Sequence, residues 1–138
     1  MQPLPAVRST GRVLGPGFGL KRWLIERTGG RTLERQLTQR VLAHNPALLG
    51  AYDFVDPDYR ALMQRWLVEL PAQGGLLFCH PGDTAAAGSR DPIAAARVRE
   101  LAYLGSPEFA ADLVAANVRL GAVWQLTGRP VTEKSTAG

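Results

Sequence analysis

A histidine, His80, stands where an apolar run stops. The run Gly75-Leu76-Leu77-Phe78-Cys79 is short, continuous and opened by glycine. It reads as a strand buried on both faces, the kind found in parallel sheets. In α/β folds ligands gather at the carboxyl ends of parallel strands. An imidazole held there can donate a proton to a leaving group near neutral pH. Pro81-Gly82 turn the chain at once, which fixes the ring at the sheet's rim. Position alone leaves a second reading open: a histidine that caps a strand and bonds to neighbouring backbone.

The other reactive side chains give weaker signals. Cys79 precedes His80 and so points to the opposite side of the strand, as a small core residue rather than a nucleophile. It is the one cysteine, which excludes an internal disulfide framework and a multi-cysteine metal site. His44, beside Asn45-Pro46, reads as a helix-end residue rather than a ligand. Gly15-Pro16-Gly17-Phe18-Gly19 is not a phosphate loop, because no Gly-Lys-Ser/Thr follows, nor does it fit G-x-G-x-x-G. It reads as a lid or a plain connection. Arg97 and Glu100 have the spacing of a surface i,i+3 salt bridge. Trp23, Trp66 and Trp124 each sit in apolar periodicity and are assigned to the core.

The elements that must position His80 follow from periodicity. Ala6-Val7-Arg8 is a candidate short strand. Leu20, Trp23 and Leu24 recur at helical spacing until Gly29-Gly30, and Leu33, Leu37 and Val41 mark a second helix stopped at His44-Asn45-Pro46. Leu48-Leu49-Gly50 is a short buried strand. Asp56-Pro57 opens a helix with Leu62, Trp66 and Leu70 on one stripe, Met63 and Leu67 beside them, and Pro71 at its end. After the small-residue loop from Asp83 to Arg90, Asp91-Pro92 starts a helix aligning Ala94, Val98, Leu101 and Leu104. Ser106-Pro107 starts another, through Phe109 and Leu113, and Val118 to Trp124 is the last strand expected. Strands alternating with helices give an α/β fold with a parallel sheet of βα units. Three or four strands are too few to close a barrel.

The 138 residues suit one α/β unit over residues 1–127, with a polar tail over 128–138. The net charge of +4 comes mostly from scattered arginines, with only Lys21 and Lys134 as lysines, so nucleic acid is not an expected partner. No apolar stretch reaches the length of a membrane span and the start shows no secretory signal, so the expected location is cytoplasmic.

The run ending Cys79-His80-Pro81-Gly82 resembles the C-H-P-G motif of the YdjC-like (ChbG/HpnK-type) carbohydrate deacetylases. The resemblance continues through Asp91-Pro92-Ile93, Arg97, Arg99-Glu100-Leu101, Leu104 and Ser106. It is strongest from about Trp66 to Leu120, in register from Ala6 to Asp58, and closest to the hopanoid-biosynthesis-associated branch. It implies the carboxyl-terminal half of a distorted (β/α) barrel that hydrolyses N-acetyl groups of amino sugars or a glycolipid. A divalent metal is implied for the whole family fold, polarising the acetyl carbonyl and activating water. The family builds that site from an aspartate pair near the amino terminus and histidines of the first half. This chain has only His44 and His80 and no Asp-Asp pair, so no metal is expected on it alone and the isolated chain is expected to be inactive.

By the same resemblance His80 is a catalytic residue, protonating the departing amine. Arg8 matches an arginine that closes a middle strand and would bind substrate through charge-assisted bonds; a surface arginine is the alternative. Gly50 matches a glycine in a strand-to-helix loop near the sugar, with a structural use as its alternative. The expected partners are the acetylated sugar or glycolipid and either the missing amino-terminal half or a second copy of the chain. A non-catalytic half-barrel acting through self-association or a partner protein is the second functional class.

Overall fold

The computed structural model describes residues 6–15, 19, 23–24, 26–83 and 90–121. Leu20, most of the 83–90 loop, Trp124 and the 128–138 tail lie outside them. Two strands, β1 (Leu48–Leu49) and β2 (Leu76–Leu77), run parallel, with Leu48 opposite Leu76 and Leu49 opposite Leu77. On the other side of β1 a first extended segment joins through parallel bridges, Val7 to His44 and Val13 to Leu48. The expected parallel α/β arrangement is therefore present, in the order first segment, β1, β2.

Between its bridges the first segment has five residues where the β1 side has three, so its ladder is interrupted. Asn45 fills the interruption. Its side-chain oxygen accepts from the Ser9 N–H at 2.7 Å, and its amide donates to the carbonyls of Ser9 and Ala47 at 3.0 and 2.9 Å. Both Asn45 and Ser9 are fully buried. The amide thus replaces ladder bonds that the bulged backbone cannot make.

Helix α1 (Arg31–Gln39) follows a wide turn, Glu26–Gly30, broken at Gly29 with φ 128°. It stops earlier than expected, and His44 lies in the bridge to Val7 with its Nδ1 2.8 Å from the Leu42 carbonyl. His44 is therefore a buried sheet residue and not a helix-end one. Trp23 is not core: it is half exposed, with the Arg27 guanidinium 4.8 Å from its ring.

Helix α2 (Tyr59–Glu69) starts two residues beyond the Asp56-Pro57 signal. Asp58 is the cap and accepts from the Ala61 N–H, while Asp56 accepts from the Asp58 N–H in the turn before it. Its stripe is as read, with Leu62, Met63, Trp66 and Leu67 buried. Helix α3 (Ala94–Leu104) buries Ala96, Glu100 and Tyr103 rather than the stripe through Leu101, which is exposed. Helix α4 (Pro107–Ala115) begins where Ser106-Pro107 placed it. Residues 118–121 form no strand. The second strand is half-buried, not buried on both faces.

The core centres on Trp66, from which solvent is wholly excluded. Tyr52 and Tyr59 meet its ring at 5.8 and 5.9 Å, edge-on, and Tyr59 meets Tyr103 at 5.8 Å. Gly15 (φ +133°) passes so close to the indole nitrogen that a Cβ there would lie 2.5 Å from it. Three helices are then tied by one carboxylate. Asp112 of α4 receives Arg60 of α2 through two bonds, at 2.9 and 3.0 Å, Gln64 at 3.0 Å and the Tyr103 hydroxyl at 2.8 Å. These donors, Arg60 foremost, hold its carboxyl down at about 2.

A carboxyl whose folded value is depressed stabilises the fold above its unfolded value and ceases to do so as pH falls through the folded one. Acid unfolding followed by circular dichroism is therefore expected to be steepest between about pH 4 and pH 2, and Asp112→Asn to flatten that limb. Asn45→Ala leaves the Ser9 N–H and carbonyl buried without their partner. It is expected to lower unfolding free energy by about 2–3 kcal/mol in urea titration.

Candidate functional site

The carboxyl ends of β1 and β2 come together at Gly50. Its φ of +98° is a left-handed conformation, and a Cβ there would collide with the Phe78 carbonyl oxygen. Only glycine lets the exit of β1 lie flat on the exit of β2. Two residues on from each of these positions stand Tyr52 and His80. The Leu49 carbonyl accepts from the Phe78 N–H at 3.1 Å, so the two exits are registered by the last rung of the sheet.

Helix α3 completes the site from below with Glu100, which is fully buried. Its Oε1 accepts from the Tyr52 hydroxyl at 2.6 Å, and its Oε2 accepts from the His80 backbone N–H. The His80 Nδ1 lies 3.8 Å from Oε1 and has no hydrogen-bond partner among the described residues, although it is shut off from solvent. The His80 side chain as a whole is 26% exposed. Nδ1 contributes none of that exposure, which leaves Nε2 as the ring nitrogen for chemistry. Phe54 and Phe78 each meet the imidazole edge-on at 5.2 Å and fix its plane.

The turn after His80 is fastened to the same helix. Arg97 donates to the His80 carbonyl at 3.2 Å, its own carbonyl accepts from the Gly82 N–H at 3.2 Å, and its guanidinium pairs with Asp91 at 2.6 Å. Arg97 and Glu100 are therefore not a surface salt bridge: Arg97 clamps the turn and Glu100 faces inward. Arg99 donates to the carbonyl of Phe54, which has a positive φ of 67°, and so holds the loop that carries Tyr52 and Phe54.

The electrostatics follow from the buried charge. Burial first, and the Glu100 carboxylate second, raise the Tyr52 hydroxyl well above its ordinary range, and the same two causes raise Tyr59. Both phenols stay protonated; Tyr52 donates to Glu100, whereas the Tyr59 hydroxyl is buried with no hydrogen-bond partner among the described residues. Burial also pushes the Cys79 thiol up, with Glu100 adding to it. A thiol shifted in that direction is a poor nucleophile. Cys79 lines an apolar groove of about 370 Å³ with Met63, Trp66, Leu77, Phe109 and Leu113.

Of the residues expected at the site, His80 and Gly50 lie at the same end of the sheet. Arg8 does not join them. It is exposed and follows the Val7–His44 bridge, at the opposite end of the first segment's pairing with β1. Tyr52 and Glu100 were missed as site residues. Glu100 carried a signal: it falls four residues after Ala96 and three before Tyr103, on the stripe that helical geometry turns to the core. Hydropathy favoured the leucine beside it.

A divalent metal needs three or more well-placed donors. Among the described residues no three of His, Cys, Asp and Glu converge in that way. The carboxylate paired with His80 among the described residues, Glu100, is already engaged by Tyr52 and by backbone, so these residues do not fit a metal centre. No helix among the described residues is long and apolar enough to cross a membrane.

Gly50→Ala is expected to cost about 2 kcal/mol or more, from the strained backbone and the collision with Phe78. Gly121→Ala, whose Cβ would meet nothing, is expected to stay within about 0.5 kcal/mol of the parent in the same denaturation series.

Comparison with known proteins adds a family. The family model described as YdjC-like protein matches residues 2–115. No curated protein and no solved structure matches the chain.

Proposed function

The chain belongs to the YdjC-like family, and from that premise we propose that it is the carboxyl-terminal part of a carbohydrate deacetylase hydrolysing N-acetyl groups of an amino sugar or glycolipid. The observation that carries the reading is the His80 imidazole, standing at the carboxyl end of β2 with a buried carboxylate behind it. In the hydrolysis, water adds to the acetyl carbon, the C–N bond breaks and the amine nitrogen must gain a proton. His80 Nε2 supplies that proton. Acetate and the free amino sugar leave. Gly50 keeps the neighbouring strand exit low enough for a sugar to approach the ring.

The groups that activate the water come from outside this chain. The divalent metal implied for the family belongs with them, on the aspartate pair and histidines that this sequence lacks. The hopanoid-associated branch is the assignment favoured by the Asp91-Pro92-Ile93 helix start.

The test is complementation. The chain, alone and mixed with the amino-terminal half of a YdjC-like deacetylase plus a divalent metal, is incubated with N-acetylglucosamine oligomers and acetate is measured. The mixture is expected to release acetate, the chain alone none, and His80→Ala in the mixture at least about 100-fold less. Acetate from the chain alone, or an undiminished rate with His80→Ala, overturns the reading.

A further inference from the structure

The resemblance assigns a role to His80 and none to the residue behind it. We infer that Glu100 is a positioning residue: it holds the His80 ring with the proton on Nδ1 and presents Nε2 outward, with Tyr52 fixing the carboxylate in place. This rests on the reading of His80 as the proton donor and deepens it.

Three observations carry the inference. The first is the carboxylate's seat. Glu100 is 0% exposed, and a carboxylate so placed persists only when its oxygens are engaged. They are engaged by the Tyr52 hydroxyl on Oε1 and the His80 N–H on Oε2. The second is the imidazole's inner nitrogen. Nδ1 is sealed from solvent, and among the described residues its ion-pair partner is Glu100 Oε1 at 3.8 Å. That is about 1 Å longer than a charge-assisted hydrogen bond but within ion-pair distance.

The third observation is that the same side chain grips both the backbone and the ring of one residue. Its bond to the His80 N–H fixes where the strand exit ends, while Oε1 faces the ring. A carboxylate whose task was only to tie α3 to the sheet has no need to meet Nδ1. The other groups facing it are Tyr59 from α2 and Cys79 from the segment after β2, both driven toward their protonated forms by burial and by Glu100 itself. Arg99, next along α3, directs its guanidinium to the Phe54 carbonyl at 2.9 Å. Among these groups Glu100 is the acceptor for an Nδ1 proton.

The arrangement serves proton transfer. When Nε2 gives up its proton, the ring left behind keeps the Nδ1 proton against the carboxylate, so the donor returns to one tautomer and one orientation after each transfer. Tyr52 holds Oε1 at 2.6 Å, which limits how far the carboxylate can swing.

The full chain has two histidines, so ring-nitrogen chemical shifts measured by NMR can be assigned with His80→Ala. In the wild-type chain the neutral His80 ring is expected to be predominantly the Nδ1–H form. Glu100→Gln removes the charge at nearly constant shape, and is expected to move the tautomer ratio toward Nε2–H by roughly tenfold. Tyr52→Phe removes one bond to the carboxylate and leaves its charge, and is expected to retain the Nδ1–H form. A purely structural Glu100 predicts that both variants loosen the fold while neither changes the ratio selectively. That result overturns the inference, as does a wild-type ring in the Nε2–H form, which stays decisive if Glu100→Gln does not fold. The measurement needs no substrate and no second half, so its failure is distinct from a failure to release acetate.

Discussion

Much of this structure depends on a carboxylate that water cannot reach. A buried charge is costly unless each oxygen is bonded, and Glu100 meets that condition by drawing in partners from two strand exits. The Tyr52 hydroxyl comes from the loop after β1 and the His80 N–H from the loop after β2. Both loops are thereby pinned to α3, at the end of the sheet where ligands of α/β folds collect. The aromatic packing falls into place around this anchor. Tyr52 reaches Glu100 with its ring lying against Trp66 and Tyr59, and His80 is held between Phe54 and Phe78.

A second carboxylate does comparable work away from the site. Asp112 joins α2, α3 and α4 through Arg60, Gln64 and Tyr103. Tyr103 belongs to the same face of α3 as Glu100, so that face of the helix is fixed by two hydrogen-bonded carboxylates. The division is physical. Asp112 is paired with a guanidinium and its charge is stabilised directly, whereas Glu100 is met by a hydroxyl and a backbone amide and stands beside an imidazole. The first arrangement suits a fastening. The second leaves the carboxylate facing the ring of His80.

Much of the framework was legible because it rests on local patterns. The Asp58 cap lies two residues past the Asp56 signal, and the α2 stripe of Leu62, Met63, Trp66 and Leu67 is the one that 3.6-residue periodicity gives. Leu48-Leu49 and the run before His80 were readable as parallel strands from their apolar character and glycine boundaries. Periodicity failed where a polar residue faces inward. On α3 it selected Leu101, which is exposed, and sent Glu100 to the surface. Trp23 was misplaced for the converse reason: an indole can remain exposed when a guanidinium covers its face.

The sequence by itself determined that His80 follows an apolar parallel strand, that proline and glycine come directly after it, and that the motif belongs with those of the YdjC-like family. These are properties of neighbours along the chain, where a few dihedral preferences and the alternation of hydropathy suffice. Only the tertiary structure decided that Glu100 lies beneath His80, that Tyr52 completes its shell, and that Arg8 is at the far end of the sheet from both. Tyr52 and Glu100 are 48 residues apart, and no local preference encodes which partner will compensate a buried charge. That choice is made when the helices pack and each excluded polar group must find a bond.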